Sequence, residues 1–326
     1  MERIVKHLTY LAQCTNFRKF QNSLADDAYR AIAEQYSQAR GYEIPMVSSL
    51  CNALHDKNWN QFRIHAEKIH GSRSQVSFNM QGTKKNKELG DTVFISLAAS
   101  GGRVVLAKMA IVQNKRESSP KRWGIDQEQL FLLEHFPSFS GVKGIPSKLD
   151  RKEMTFLNVS GQLGNFGFFE NPGEMYFVDA ATVSRARHGN SVHLNELFRA
   201  SRANQKTTSW PYLTDPYLLE EIIHFHLKRF PYFLYDLPFS ESRTCVLNLQ
   251  ELIRCLTMLK VGEVIEANGR IFDQHLHSFT KQLLRTICPN WDISFSQEEN
   301  TDSLIEIDAS EYEGLAVVAI LHSLEG

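Results

Sequence analysis

The sequence predicts an α/β fold in which helices flank a mixed β-sheet. Three observations point to this class. Apolar residues recur at helical spacing near the start of the chain, as in Ile4, Leu8 and Leu11, and this period is typical of an amphipathic helix. From Ser74 the pattern changes to alternating and β-branched runs, which favour strands. Helical spacing then returns from about Ala181.

Length and composition set the expected organisation. The length of 326 residues suits two domains, or one domain with a large appendage. The composition, 42% hydrophobic and 22% charged, is ordinary for a globular protein. The polar stretch at 202–211 is the best candidate for a boundary. We therefore expect an N-terminal helical region at 1–56, an α/β core at 57–200, and a mainly helical region with late strands at 201–326.

Features of membrane or secreted proteins are missing from the sequence pattern. No apolar run approaches the ~18 residues that a membrane span needs, and the opening MERIVKHLTYLAQ is too polar for a signal peptide. The five cysteines are scattered and form no CxxC pair, which fits free thiols in a reducing compartment. We therefore expect a cytoplasmic protein without a membrane partner.

The first 70 residues are expected to be helical. The last helix of this region is predicted from Trp59 to His70, because Phe62, Ala66 and Ile69 fall on one helical stripe. Gly71 follows at the position where helices commonly end in glycine.

The central part of the chain predicts three consecutive strands. The first strand is expected at 74–80, and a polar, basic loop at 81–87 should follow it. Two β-branched runs at 91–100 and 103–115 are joined by Gly101-Gly102. A Gly-Gly pair between two such runs is a strong hairpin signal, so we expect the second and third strands to pair antiparallel.

The remaining elements mix helices and strands. A helix is predicted at 125–136, with Asp126 near its start and Pro137 after its end. Further strands are expected at 154–160, 166–169, 174–180, 303–310 and 314–324. Further helices are expected at 192–201, 215–230, 249–259 and 272–287.

The residues around the hairpin carry the main functional signal. KELGD, at 87–91, leads into the second strand, and VQNKR, at 112–116, ends the third. Together with the predicted order of helix, three strands and helix, these residues resemble the core of the PD-(D/E)XK nuclease superfamily, in the variant where Gln replaces the third-strand carboxylate. The resemblance spans roughly residues 57–135. It implies a restriction-endonuclease-like mixed sheet and a phosphodiesterase that depends on Mg²⁺ or Mn²⁺.

The chemistry of the residues agrees with catalytic roles for Asp91, Gln113 and Lys115. Asp91 offers the hard oxygen ligand that Mg²⁺ prefers, and Gln113 could offer its amide oxygen to the metal or to a metal-bound water. Gln113 and Lys115 are two apart on a strand and share a face. Lys115 could orient or deprotonate the attacking water and neutralise charge on the phosphate.

Two alternatives to a nuclease remain open. The neutral amide of Gln113 removes one negative charge from the metal site, so the core could be catalytically silent and act as a nucleic-acid-binding or scaffold subunit. QNKR could then be a solvated strand end. The other alternative is a protein-interaction module that uses the apolar helices after residue 200.

Three further residues are secondary candidates for the same site. Glu67 is expected on the helix before the sheet, where the superfamily often carries an additional acidic ligand. Glu88 lies three residues before Asp91, and Gln129 lies on the helix after the third strand, where it could contact substrate or water. Each also has an ordinary interpretation as a solvent-exposed polar residue.

Basic residues near the hairpin predict contacts with nucleic acid. Lys84, Lys85 and Lys87 precede Asp91, and Arg116 follows the third-strand motif. Such side chains could hold phosphate groups, although a charge run is often only a solvated loop. The twelve histidines do not predict a zinc site, because HEXXH is absent and pairs such as His65 and His70 have poor helical spacing.

The expected partners are nucleic acid and a second protein. DNA is favoured over RNA only because the resembled superfamily favours it. The formal net charge of −1 and the lack of a base-reading motif argue against strong autonomous binding to duplexes. We therefore expect a second subunit or a second copy of the chain. This layout resembles effector nucleases of bacterial phage-defence and restriction systems.

Overall fold

The computed structural model describes residues 2–38, 43–69, 74–148, 153–205, 246–296 and 315–324. Its helices are α1 Glu2–Gln13, α2 Thr15–Gln38, α3 Ile44–Leu54, α4 Gln127–His135, α5 Ala180–Ala186, α6 Leu194–Gln205, α7 Leu249–Thr257 and α8 Gln274–Ile287. Its strands are β1 Lys57–Trp59, β2 Phe62–Ile69, β3 Gln75–Met80, β4 Thr83–Glu88, β5 Thr92–Ser100, β6 Arg103–Ser119, β7 Arg122–Gly124, β8 Phe139–Gly141, β9 Gly164–Glu170, β10 Glu174–Asp179, β11 Ser191–His193, β12 Glu263–Ala267, β13 Arg270–Ile271 and β14 Leu315–Ser323. None of these helices combines the length and apolar character needed to cross a bilayer.

The strands form one large mixed sheet and one small sheet, which confirms the predicted α/β class. The main path of the large sheet runs β1-β2-β14-β5-β6-β12-β13, and β9 also pairs with β6. The pairs β14–β5 and β6–β9 are parallel, whereas β5–β6 and β14–β2 are antiparallel. The small sheet has the order β4-β3-β8.

Hydrophobic cores lie on both faces of the large sheet. Alternate residues of β5 enter different cores, because successive side chains of a strand point to opposite faces. Val93 and Ile95 join the core that contains residues of α4, α5, α6 and α8. Phe94 and Ala98 join the core that contains residues of α1, α2, α3 and α7. Helices therefore cover the sheet on both sides.

The predicted hairpin of β5 and β6 is confirmed. Gly101 and Gly102 both have positive φ, at 58° and 69°, as a two-residue type I′ turn requires. The register places Thr92 opposite Val112. β6 continues to Ser119, beyond its last pair with β5, and pairs with β9 in this extension. The end of the hairpin opposite the turn therefore brings β5, β6 and β9 together.

The predicted helix from Trp59 to His70 is wrong. Residues 62–69 form β2, in which Phe62, Ile64 and Ala66 are buried on alternate positions. The same residues satisfy both a period near 3.6 and a period of 2, so the local sequence is ambiguous. Pairing along the whole of β2 with the distant β14 decides in favour of a strand.

Two other sequence expectations also fail. The predicted loop at 81–87 is mostly strand β4, which follows a two-residue turn with positive φ at Gln81 and Gly82. The predicted strand at 154–160 is reduced to one isolated bridge between Met154 and Phe139.

The later part of the chain contributes both helices and strands. The predicted helices at 125–136, 192–201, 249–259 and 272–287 are confirmed as α4, α6, α7 and α8. The predicted strands at 166–169, 174–180 and 314–324 are confirmed as β9, β10 and β14. The predictions at 215–230 and 303–310 lie outside the described residues. Strands β12 to β14 join the same sheet as β5 and β6, so the predicted C-terminal region shares the sheet of the core.

Candidate active site at the start of β5

The backbone of Asp91 is fixed between two strands. Its N–H donates to the carbonyl oxygen of Val112 at 2.9 Å, and its own carbonyl accepts from the N–H of Ala316 at 2.9 Å. Because Thr92 pairs with Val112, Asp91 lies opposite Gln113 on the same sheet face. Lys115, two residues further along β6, shares that face.

The side chains of Asp91 and Gln113 are in direct contact. Oδ2 of Asp91 accepts from the Gln113 Nε2 at 2.5 Å and from the backbone N–H of Asn114 at 2.6 Å. Lys115 is close enough that its charge acts on Asp91. The structure therefore brings together the three residues that the sequence predicts as catalytic.

The electrostatics of the site raise the pKa of the Asp91 carboxyl toward neutral pH. Burial raises the pKa of Asp91 to about 7, against an ordinary value of 3.8. The Lys115 charge and the Asn114 N–H favour the ionised form and lower the pKa, whereas the carboxylates of Glu88 and Glu43 raise it. Asp91 can therefore hold or release a proton close to neutral pH.

Gln113 carries a buried oxygen with no hydrogen-bond partner. Its side chain is 2% exposed, and Oε1 has no partner within the described structure. A buried carbonyl oxygen without a partner is costly. An amide oxygen and a carboxylate are both ligands that suit Mg²⁺. On this observation, Asp91 and Gln113 fit the divalent cation that the sequence predicts.

Glu88 and Gln129 meet beside Asp91. The Nε2 of Gln129, on α4, donates to the backbone carbonyl of Glu88 at 2.6 Å. Gln129 is 5% exposed, so it is not the ordinary surface residue that its position could have implied. It ties the start of α4 to the end of β4, and the charge of Glu88 reaches Asp91 from there. Gln129 is a positioning residue of this region.

Glu67 does not belong to the Asp91 group. The prediction that it lies on a helix is wrong, because it lies on β2, and β14 separates β2 from β5. Its Oε2 instead lies 3.4 Å from the Nε2 of His65. Because Glu67 pairs with Val317 and Val317 pairs with Val93, two inter-strand spacings separate it from β5.

The predicted basic residues are only partly available to nucleic acid. Lys85 lies 2.6 Å from Glu128, and Lys87 lies 2.6 Å from Asp126, so α4 compensates both charges. Lys84 is exposed and, by strand alternation, faces away from this ion-pair group.

Arg116 lies on the opposite sheet face from Gln113 and Lys115. Its guanidinium stacks over the Tyr36 ring at 4.2 Å, and Nη2 donates to the Tyr36 carbonyl at 3.3 Å. Arg116 therefore fastens α2 to β6, and the structure does not place it with Asp91.

Glu43 acts on Asp91 through its charge, an influence that the sequence did not reveal. It precedes α3, and its side chain makes no capping hydrogen bond to that helix. Its charge nevertheless raises the pKa of Asp91, which lies far away in sequence. The signal available in the sequence is an acidic residue directly before a helix. The neighbouring sequence does not link that residue to β5.

No protein-family model, curated protein or solved structure matches this chain.

Proposed function

We propose that this protein is a metal-dependent nuclease of the PD-(D/E)XK type that cleaves DNA phosphodiester bonds. One observation carries the proposal. Asp91, Gln113 and Lys115 lie on one sheet face, with Gln113 in contact with Asp91 and its Oε1 buried without a partner. Asp91 and Gln113 supply oxygen ligands for a metal ion, and Lys115 supplies a positive charge beside them. Metal-assisted hydrolysis of a phosphodiester can use both kinds of group.

Asp91 and Gln113 would hold Mg²⁺ or Mn²⁺ through a carboxylate and an amide oxygen. Such an ion supplies Lewis-acid polarisation of a phosphate oxygen and activation of water. The carboxylates of Glu88 and Glu43 add negative potential around Asp91, as their effect on its pKa shows. This potential favours a cation at the site.

Lys115 and Asp91 supply complementary chemistry. The ammonium of Lys115 can orient water and neutralise the charge that develops on the phosphate. The Asp91 carboxyl, with its pKa raised to about 7 by burial, must lose its proton to hold the ion, so metal binding releases a proton near neutral pH. Both groups are anchored on β5 and β6, which hold their separation fixed.

Plasmid cleavage by the untagged chain tests this proposal. Wild-type protein should nick or linearise plasmid with Mg²⁺ or Mn²⁺ and lose that activity in EDTA. Asp91→Asn and Lys115→Met should each reduce cleavage by roughly 100-fold or more. Lys19→Met is the matched control, because Lys19 is an exposed lysine on α2. Equal cleavage by all four proteins would exclude the assigned site.

A catalytically silent core is the second candidate. The number of metal ligands around Asp91 favours this candidate. Within the described residues, Asp91 belongs to no group of three His, Cys, Asp or Glu side chains whose ligand atoms all lie within 4.8 Å of one another. Such a protein would bind nucleic acid with strong salt dependence and no metal requirement. Metal-independent binding, together with unchanged binding by Asp91→Asn, would favour this candidate over the nuclease.

We also propose that cutting requires a second subunit or a second copy of the chain, as in an effector of bacterial phage defence or restriction. Lys85 and Lys87 are neutralised by α4, which leaves less free positive charge for autonomous binding. The isolated chain should therefore digest plasmid weakly. Vigorous digestion by a protein that sizing shows to be a monomer would contradict this requirement.

A further inference from the structure

A second polar cluster lies on the outer strands of the large sheet. His55 and Asp56 follow α3 and precede β1, and His65 lies on β2. The ligand atoms of these three residues all lie within 4.8 Å of one another, and no other His, Cys, Asp or Glu trio in the described ranges does so. The cluster is distinct from Asp91.

Both oxygens of Asp56 face imidazole nitrogens. Oδ2 lies 3.1 Å from the Nε2 of His55, and Oδ1 lies 2.6 Å from the Nδ1 of His65. The two rings are close, with centroids 4.9 Å apart. The carboxylate thus sits between two imidazoles that converge on it.

Both nitrogens of each ring face oxygen acceptors. The Nδ1 of His55 contacts the carbonyl oxygen of Ala66, and the Nε2 of His65 faces the Oε2 of Glu67 at 3.4 Å, while the other nitrogen of each ring faces Asp56. A neutral imidazole carries one hydrogen. In each neutral ring, one nitrogen therefore directs a lone pair at an oxygen acceptor.

A lone pair that faces an oxygen acceptor is unfavourable unless a cation lies between them. A metal ion held by the two imidazoles and the carboxylate supplies that cation. Metal-bound histidines commonly donate their other N–H to a backbone carbonyl or a carboxylate. Ala66 and Glu67 provide these two outer contacts.

We propose that His55, Asp56 and His65 bind one divalent transition-metal ion, and that Zn²⁺ is the ion this ligand set suits. Two imidazoles and a carboxylate match the nitrogen and oxygen donors that zinc takes, whereas Mg²⁺ prefers oxygen alone. Glu67 belongs to this site as the outer partner of His65.

The backbone of Asp56 is in the left-handed region, with φ 50°. Asp and Asn enter this region more readily than most residues other than glycine.

The site opens onto a cleft of about 580 Å³. Asp56 and His65 line it together with Arg63, Cys288 and Trp291, and Asp91 is not among its lining residues. Three protein ligands are one fewer than structural zinc sites use, and this number is typical of zinc sites that also take water or a substrate. The proposal does not depend on nuclease activity at Asp91.

Metal titration of the untagged full chain tests the proposal. Zn²⁺ binding is followed by calorimetry, and Co²⁺ binding by its visible absorption. Wild type should bind one ion per chain. His55→Asn, His65→Asn and Asp56→Asn should each abolish tight binding, and Asn at 56 tolerates the left-handed backbone. Glu67→Gln should weaken binding by roughly 10–100-fold.

Matched variants distinguish this cluster from the Asp91 site and from isolated surface histidines. His135→Asn is the control, since the Nε2 of His135 lies 3.6 Å from Glu134 but His135 belongs to no cluster of three ligands in the described structure. It should leave Zn²⁺ affinity unchanged, as should Asp91→Asn. No Zn²⁺ binding by wild type, or equal binding by the cluster variants and wild type, would overturn the proposal. Loss of binding in Asp91→Asn alone would assign the ion to the Asp91 site.

Discussion

The backbone N–H of Asn114 donates to Oδ2 of Asp91 at 2.6 Å, and this bond joins the Asp91 carboxyl to β6. The bond favours the ionised form, but burial outweighs it and raises the pKa of Asp91 to about 7. The folded protein therefore holds a carboxylate in an environment that disfavours its charge. A carboxyl in such an environment lowers the stability of the fold at pH values above its pKa.

Replacing Asp91 by Asn should stabilise the protein at alkaline pH. The folded pKa of about 7 exceeds the ordinary 3.8, so the stability associated with Asp91 is present below pH 3.8 and is lost as pH rises to about 7. At pH 8, Asp91→Asn should raise the free energy of unfolding by up to about 4 kcal/mol. Urea denaturation at pH 4 and pH 8 measures this, with the exposed Asp292→Asn as control. A gain no larger at pH 8 than at pH 4 would contradict it.

Mg²⁺ should stabilise the wild-type protein and not Asp91→Asn. A ligand that binds only the folded state adds about 2.7 kcal/mol at 100 times its dissociation constant. Thermal unfolding with increasing MgCl₂, at constant ionic strength, detects the shift without any substrate. The same shift in both proteins would place the ion elsewhere, and no shift in either would favour the silent core.

Gly164→Ala should strongly destabilise the fold. An added Cβ would lie 1.9 Å from the carbonyl oxygen of Leu133, so α4 would have to move away from β9. Overpacking of this kind costs roughly 1–3 kcal/mol or more. Gly124→Ala is the matched control, since a Cβ there meets nothing within 4 Å. Comparable denaturation midpoints for the two variants would show that α4 adjusts freely.

His322 should make the protein sensitive to acid. It is 0% exposed, its Nδ1 lies 3.1 Å from the Nε2 of His7, and burial lowers its pKa to about 3. Its contribution to stability is present above pH 6.5 and is lost as pH falls toward 3. His322→Gln should therefore lose less stability than wild type between pH 7 and pH 4. An unchanged pH profile would remove His322 as the cause.

Lys84 and Lys87 should differ in nucleic-acid binding. Lys84 is exposed, whereas Lys87 is paired with Asp126 and Glu128. Lys84→Gln should reduce the slope of log affinity against log salt by about 1, and Lys87→Gln should leave it unchanged while lowering stability by less than about 1 kcal/mol. Fluorescence anisotropy at several salt concentrations gives the slopes. The reverse order would show that the ion pairs open on binding.

The sequence predicts the hairpin at the site because its signals are local. Gly101-Gly102 supplies the turn, and the runs on either side alternate with the correct period. The alignment of Asp91 with Gln113 follows once the two strands are paired in register. This part of the site therefore needs no information from distant residues.

The parts that the sequence misses depend on distant partners. Residues 62–69 fit two periods, and β14 decides between them. The same ambiguity explains why the sequence does not predict the proposed metal cluster. A helix through His65 offers it no second metal ligand at a suitable spacing. On β2, however, His65 lies beside His55 and Asp56. Glu43 reaches Asp91 only after α3 has packed on the sheet.

β14 is the last of the described strands to be synthesised, and this order affects folding during translation. β14 begins at Leu315 and inserts beside β5, which ends at Ser100. A ribosome therefore releases the hairpin of β5 and β6 long before its neighbour, and contacts so distant in sequence form slowly. The carbonyl of Asp91 gains its hydrogen bond from Ala316 only after β14 has left the exit tunnel. A nascent chain consequently lacks this backbone restraint on the proposed site until β14 has paired with β5.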